Sequence, residues 1–479
     1  MSETPAYIDF QAYTEHVPPS IPRAVQQATA RFVSGRATRV AELPHWEQLR
    51  QTASEIRLHT IENMDVYLTR LEAAVQAAGG HVHWASTAEE ARQIVLQIAR
   101  EHHVKLAVKV KSMATEEIGL NHALGAAGIE ALETDLGEYI IQLAGTGPSH
   151  IIVPAVHLKK EEIAALFSEK LHIDAPPDPL ELTRIARESL RQKFLSADMG
   201  ISGANFLVAE TGTLVMVTNE GNGRMCTSLP ELHVAIAGID KVIPDWEALT
   251  VFLKLLARSA TGQKLSAYTQ FITGPRREAG ERGPKEFHLV LLDNGRSDVL
   301  RDPIGRQVFK CIRCGACANV CPVYQNVGGF AYGWFISGPI GAMFAPQMLG
   351  TATARELPFA STLCGACADV CPVKIPIPTI LRHLRQRVAQ GDELAGSTMP
   401  VPIRAVAGFA ALALSQSWMY RLGTRLAPFF MRVFQRGDWI PAAPYPLSRW
   451  TRVRSLPSWT ASFRQWWRTR SGKGKGLSQ

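Results

Sequence analysis

Two common nucleotide fingerprints are missing from this 479-residue chain: no G-x-G-x-x-G follows a strand-like run, and no G-x-x-x-x-G-K-[ST] loop occurs. A tightly bound dinucleotide is therefore not expected. Long apolar runs are also missing. The longest, residues 405–414 in RAVAGFAALALSQ, has ten residues, well short of the roughly 18 needed to cross a bilayer. The opening MSETPAYIDF has no basic stretch followed by an apolar one and a small-residue cleavage site, so a cytoplasmic location is expected. The 14 histidines form no H-E-x-x-H or similar metal motif. His81 with His83, His102 with His103, and His157 read as surface or packing residues without a role. Cysteine is scarce, with eight in the chain, yet seven fall in two short runs. In a reducing compartment such clustering argues against disulfides and points to metal.

What is present is an ordinary globular composition, 46% apolar, in a chain long enough for about three domains. The net charge of +8 is unevenly spread: residues 379–479 hold 16 Lys or Arg against Asp392, Glu393 and Asp438, a net +13, leaving −5 on residues 1–378. The same basic region holds six of the ten tryptophans, Trp418, Trp439, Trp450, Trp459, Trp466 and Trp467. Such a surface suits a partner subunit first, peripheral contact with the inner face of a membrane second, and nucleic acid least. The final RSGKGKGLSQ also reads as a solubilising tail.

Residues 1–64 read as an N-terminal helical arm with no legible function. Over 65–296 helix-like and strand-like stretches alternate. NMDVYLTRLEAAVQAAGG is followed by HVHWAS, TAEEARQIVLQIAREHH with a Thr87 cap, KLAVKVKS, GIEALET and the apolar run HIIVPAV. Two helices follow, then strands in ANFLVAETGTLVMVTNEG, HVAIAGIDKVI, LSAYTQFITG and EFHLVLLDNG. The pattern predicts an α/β domain whose mixed sheet is flanked by helices. A two-cluster domain is expected over 301–386 and a basic Trp-rich region over 387–479. No internal repeat occurs beyond the two cysteine runs.

CIRCGACANVCP supplies Cys311, Cys314, Cys317 and Cys321, the complete C-x2-C-x2-C-x3-C-P run of bacterial two-cluster ferredoxins. STLCGACADVCPVK supplies only Cys364, Cys367 and Cys371, with Ser361 where a first cysteine would stand. Zinc also uses paired C-x2-C units, but not three cysteines at successive three-residue steps closed by Cys-Pro, and here that pattern occurs twice. The fourth cysteine of such a run ligates the other cluster. Cluster one is therefore expected on Cys311, Cys314, Cys317 and Cys371, and cluster two on Cys321, Cys364 and Cys367. The remaining place on cluster two falls on Ser361 or on no residue. It could be a [3Fe–4S] cluster, a [4Fe–4S] cluster with serine or water on the odd iron, or one whose odd iron takes a substrate or partner ligand. Two [4Fe–4S] clusters, the second with a non-cysteine ligand, are the favoured expectation.

AETGTLVMVTNEGNGR sets Glu210, Asn222 and Arg224 around a strand and a Gly-rich turn, which could hold a carboxylate or phosphate. The plain alternative is a hairpin turn with a polar surface. Lys109, Lys111, Ser112, Glu133, Asp135 and Glu138 fall near strand ends, where open sheets bind ligands; by residue type they read as solvated charges. Cys226, without a cysteine neighbour, reads as a buried structural thiol.

In order along the chain, KVKSMATEEIGLN, AETGTLVMVTNEGNGR, CIRCGACANVCPVYQNVGG, YGWFISGPIGA and LCGACADVCPVKIPIP resemble the lactate-utilisation protein B family of iron–sulfur proteins. The match runs over about residues 65–390 and more loosely into the tail. The resemblance implies a lactate-utilisation domain similar in fold to the CoA-transferase and sugar-phosphate-isomerase group, followed by an α-helical ferredoxin-type domain. It implies an electron-transfer subunit, not a complete enzyme alone, acting with companion lactate-utilisation proteins to oxidise L-lactate to pyruvate. It carries cluster ligation onto the seven cysteines, with serine usual at the place of Ser361, and names neither catalytic residues nor a final electron acceptor. The rival expectation is an iron–sulfur redox sensor or scaffold with an open-site cluster.

Overall fold

A computed structural model describes residues 5–278, 280–391, 396–444, 447–451, 454–458 and 467 of the chain. Ten strands come first: β1 (His81–Ala85), β2 (Leu106–Lys109), β3 (Glu130–Glu133), β4 (Met199–Ser202), β5 (Phe206–Val208), β6 (Thr213–Thr218), β7 (Leu232–Gly238), β8 (Val242–Ile243), β9 (Tyr268–Ile272) and β10 (Glu286–Leu292). Six form one sheet in the order β1-β10-β7-β4-β2-β3, parallel at every junction.

The sheet is parallel because its strands are apolar on both faces, which only helices on both sides can cover. Along β7, Val234 and Ile236 enter one core while Ala235 and Ala237 enter the other; along β10, Val290 and Leu292 face opposite to Leu289 and Leu291. The covering helices begin where the side chains dictate. Thr87 accepts from Glu90 N (3.1 Å) to start Ala88–Glu101. Asp178 caps Pro179–Ser196, where proline stands at the first helical position.

The single mixed sheet expected from the strand-rich stretch resolves into two. β5 and β6 form an antiparallel hairpin that leaves the parallel sheet and pairs with β8 and β9 in a separate sheet, ordered β8-β5-β6-β9. The hairpin turns at Gly212, whose φ is +69° and where a Cβ would stand 2.5 Å from Val75 N. HIIVPAV forms no strand. His150 Nδ1 accepts from Ile152 N (3.0 Å) and Val153 N (3.2 Å), so the backbone donors a strand would use are taken by a side chain.

The N-terminal segment is helical, with Phe10–Glu15, Ser20–Ala41 and Trp46–Glu62, but it is no free arm. Its Ile8, Val25, Trp46, Ala53 and Ile61 belong to the same core as Val208 and Phe252 of the α/β part and Phe309, Phe344 and Leu381 of the cysteine-bearing part. One compact unit therefore extends to Thr398. Its later portion is built of short helices around the almost wholly buried Gly338–Met348 and ends in Ile377–Gln390.

A second unit starts at Met399. Its helices Val401–Ser415 and Ser417–Met431 pack on each other, and β11 (Trp439–Ile440) pairs antiparallel with β12 (Leu456–Pro457). Phe409, Leu412, Trp418, Phe429, Phe430 and Trp439 are exposed. Trp459 and Trp466 lie outside the described residues, as does the side chain of Trp450. Among the described residues no helix is long and apolar enough to cross a membrane.

Close approach is severe at Gly200 of β4, where a Cβ would stand 1.8 Å from the Cys226 carbonyl oxygen; at Gly125, inside helix Leu120–Ala126, it would meet nothing within 4 Å. Thermal melts should show Gly200→Ala destabilised by about 3 kcal/mol through overpacking. Gly125→Ala should be neutral or stabilised by up to about 1 kcal/mol. Equal melting points would refute the close contact.

Candidate functional site

The carboxyl ends of β2, β4 and β7 open on a cavity of about 540 Å³ whose wall includes Lys111, Ser112, Gly203, Asn205, Gly238 and Lys241. Open parallel sheets hold ligands at this end. An adjoining cavity of about 600 Å³ shares Lys111, Ser112, Met113 and Glu117 with it and is closed by Phe330, Trp334 and Phe335 from between the cysteine runs.

Under the first cavity lies a buried ion network. Asp240, in the turn after β7, accepts from Arg296 Nε (2.7 Å), and Arg296 also grips Glu117 through Nη1 (2.9 Å) and Nη2 (2.7 Å). Arg313, from between Cys311 and Cys314, brings Nη2 to 3.7 Å from Asp240 Oδ2 and lies over the Phe344 ring at 4.4 Å. Burial works to raise the Asp240 pKa, yet Arg296, Lys241 and Arg313 together hold it well below the usual carboxylate range. Burial lowers Lys241 to about 8 against the pull of Asp240. Gly238 is required here: a Cβ would fall 2.3 Å from Asp240 Oδ1 and 2.5 Å from Arg296 Nε. Arg313 Nη1, by contrast, is buried without a hydrogen-bond partner.

The two cysteine runs fold alike. Arg313 and Leu363 stand at φ +59° and +56°, each followed by a left-handed glycine, Gly315 or Gly365, two residues further on. Each glycine starts a four-residue helix, Ala316–Asn319 or Ala366–Asp369. In the first run Arg313 N donates to Cys311 Sγ (3.3 Å); in the second Leu363 N donates to Ser361 Oγ (3.1 Å). The serine oxygen thus takes the same local hydrogen bond as the cysteine sulfur.

Thiol environments identify neighbours across the runs. Burial raises Cys314, and Cys311 and Cys371 raise it further; Cys317 is raised by burial, then by Cys311, Cys314, Cys367 and Cys371. Burial pushes Cys367 up to about 12, followed by Cys321 and Cys364. Cys364 differs: it is exposed, and hydrogen bonds from Thr362 and the Ala366 backbone lower it. Among the described residues no three of these thiols come within 4.8 Å of one another. A single tetrahedral zinc, with Zn–S bonds of about 2.3 Å, needs sulfurs roughly 3.8 Å apart. The donor set, seven thiols in two ferredoxin-type runs, is soft and of the kind that holds iron–sulfur clusters.

Sequence reasoning missed the cations that hold the second run. Arg50 donates to the carbonyls of Cys371 (2.9 Å), Asp369 (2.8 Å) and Ala368 (3.3 Å), and Arg36 to that of Val370 (3.0 Å). Both come from the N-terminal helices. Asp240, Arg296, Glu117 and Arg313 were missed as well; the legible signal was the Gly before Asp in AGIDK at a strand end, and an arginine inside the cysteine loop.

The residues read as solvated charges are mostly paired and sheltered. Lys109 is 1% exposed and pairs with Glu133 (2.8 Å) and Glu116 (3.3 Å), while Lys111 pairs with Glu138 (2.7 Å). They stand at strand ends capped by helices, where a charge must find a partner. Glu210, Asn222 and Arg224 are not brought together. Exposed Glu210 caps Trp246 N (3.4 Å) at one end of β6; Asn222 is buried at the other, donating to Thr134 Oγ1 (3.3 Å), and Arg224 is exposed. NEGNGR opens the helix Asn222–Ser228 instead of a hairpin turn. Cys226 is buried and its thiol pushed up to about 12, chiefly by burial.

The LUD domain family matches residues 68–292 and the 4Fe-4S dicluster domain residues 307–375. Together they define a lactate-utilisation iron–sulfur protein. Residues 383–472 match the C-terminal domain of lactate utilisation protein B. Lactate utilization protein B of Shouchella clausii strain KSM-K16 is 45% identical over 454 residues, and that of Macrococcus caseolyticus strain JCSC5402 is 46% identical over 455, each comparison covering 94% of both chains. The protein of that name from Bacillus thuringiensis strain Al Hakam is 43% identical over 93% of both. The chain belongs to the lactate utilization protein B family.

Glu220 also lines the first cavity, and burial, reinforced by Asp135, raises it from 4.5 to about 7. Its folded value exceeds the unfolded one, so the folded protein holds this proton where the unfolded chain has lost it. Stability should therefore fall as pH rises from about 4.5 through about 7, and Glu220→Gln should remove that component. Parallel pH–stability profiles for the variant and parent would refute the shift.

Proposed function

We propose that this chain is the electron-transfer subunit of a complex that oxidises L-lactate to pyruvate, with its α/β domain over 65–296 and its two-cluster domain over 301–386. The carrying observation is Arg313. It belongs to the first cysteine loop, yet lines the cavity at the strand ends, with Nη1 buried and unpartnered. Arg313 and Lys241 present positive charge to a carboxylate there. Oxidation of a 2-hydroxy acid to the 2-oxo acid releases two electrons and two protons; Glu220, with its raised pKa, is suited to accept the hydroxyl proton. When bound, the clusters supply one-electron acceptors.

Cluster one is assigned to Cys311, Cys314, Cys317 and Cys371, and cluster two to Cys321, Cys364 and Cys367, both as [4Fe–4S]. Ser361 is assigned as the fourth ligand of cluster two. Its support is the shared turn, which sets Ser361 Oγ in the local geometry of Cys311 Sγ. A serine oxygen is a harder donor than thiolate, so this iron is the more easily lost. The exposure of Cys364 supports cluster two as the outlet toward an acceptor in this reading. The basic C-terminal unit, with its exposed aromatics, is assigned to docking a companion lactate-utilisation protein.

In the complex with its companions, lactate should reduce the clusters anaerobically. Arg313→Gln should raise the lactate concentration for half-maximal reduction by about tenfold or more, the loss of one charge-assisted hydrogen bond; Arg313→Lys should recover part of it. Absence of lactate-dependent reduction in the full complex would reject this reading in favour of a sensor or scaffold.

Mild oxidation followed by EPR should show a three-iron signal in the parent that Ser361→Cys suppresses. If parent and variant give the same fully cysteine-ligated four-iron spectra, Ser361 is not a ligand.

A further inference from the structure

Three of the histidines without a role in the sequence, His81, His83 and His102, meet His288 at the amino end of the parallel sheet, away from the cavity. Edge strand β1 carries His81 and His83, β10 carries Glu286 and His288, and the register sets His81 beside His288. The His288 ring stacks on His81 (centroids 4.8 Å apart) and on His83 (5.3 Å). His102, at the end of helix Ala88–Glu101, places Nε2 3.3 Å from Glu286 Oε2.

Among the described residues this is where three imidazole or carboxylate donors converge: one ligand atom each of His81, Glu286 and His288 lies within 4.8 Å of the others. His288 is 8% exposed. Its Nε2 has no hydrogen-bond partner and stands 3.6 Å from Glu286 Oε2. Its other ring nitrogen, Nδ1, is 3.0 Å from His83 Nε2. When His288 donates from Nδ1 to His83, its Nε2 lone pair faces the Glu286 carboxylate across that gap. Two electron-rich atoms face each other favourably only around a cation. A metal-binding histidine characteristically donates its second N–H to a fixed acceptor, and His83 is placed to be that acceptor.

We propose that His81, Glu286 and His288, with His102 at the rim, form a site for a divalent transition metal of the zinc type. Three imidazoles and one carboxylate are the nitrogen and oxygen donors such ions take in four-coordinate sites. The ligands come from two adjacent strands and a helix end that buried cores hold in place. A metal there would clasp edge strand β1 to β10, and its function is separate from lactate oxidation.

The experiment is a Co2+ titration of the full-length, cluster-loaded protein under anaerobic conditions, followed by displacement with Zn2+. The expected result is saturable one-to-one binding with the d–d absorption of nitrogen and oxygen ligation, and unchanged cluster absorption. His81→Ala and Glu286→Gln, both at partly exposed positions, should each weaken binding by about 10–100-fold. Three outcomes would overturn the proposal: no saturable binding, binding unaltered in both variants, or a thiolate-to-cobalt charge-transfer band that puts the metal on cysteine.

Discussion

A buried carboxylate among cations is the interaction on which the compact unit depends. Asp240 is 1% exposed and in contact with Arg296, while Arg313 approaches from the cysteine loop. Arg57 of the N-terminal helices donates to the backbone carbonyl oxygens of Asp240 and Phe309, and to that of Val242 at 2.9 Å. Each of these charges would cost several kcal/mol to bury alone. They are tolerable only together, so the end of β7, the start of the cysteine loop and the N-terminal helices must close as one piece. Gly238 leaves the space that makes the contact possible.

The same arrangement explains why the α/β part and the cysteine part share a core and do not sit as beads on a string. Phe344 lies under Arg313 and near Arg296, and Phe309 packs against Phe344. Arg50 and Arg36 tie the second cysteine run to the N-terminal helices, and Lys310 donates to the Lys374 carbonyl across the two runs (3.1 Å). Carbonyls at the end of the helix Ala366–Asp369 attract cations for the reason any helix terminus does.

Near-symmetry with one chemical difference defines the cysteine region. The two loops share left-handed positions, short helices and Cys-Pro endings, and differ where Cys311 is matched by Ser361. Their surroundings differ too. Cys314 is buried, whereas its counterpart Cys364 is exposed. Hydrogen bonding, charge and solvent exposure set the reduction potential of an iron–sulfur cluster, so similar loops in unlike surroundings are chemically inequivalent.

Local patterns were legible in the sequence because they depend on neighbours in the chain. The cysteine spacing, the Thr87 cap, the helix after Asp178 and five of the six strands of the parallel sheet follow from short-range chemistry; β4, Met199–Ser202, was not legible as a strand. HIIVPAV misled because apolar content does not reveal that the His150 ring captures the backbone donors a strand would need. The second sheet was invisible because a hairpin at Gly212 leaves the first sheet only once Val75 is packed against it. Lys109 with Glu133, Asp240 with Arg296 and Arg313, and His81 with His288 are pairs whose members are distant in sequence. By itself, the sequence determined most of the helices and strands, and the thiol runs. Tertiary structure alone decided which charges are buried together, because a buried charge is stable only beside a partner that the fold delivers.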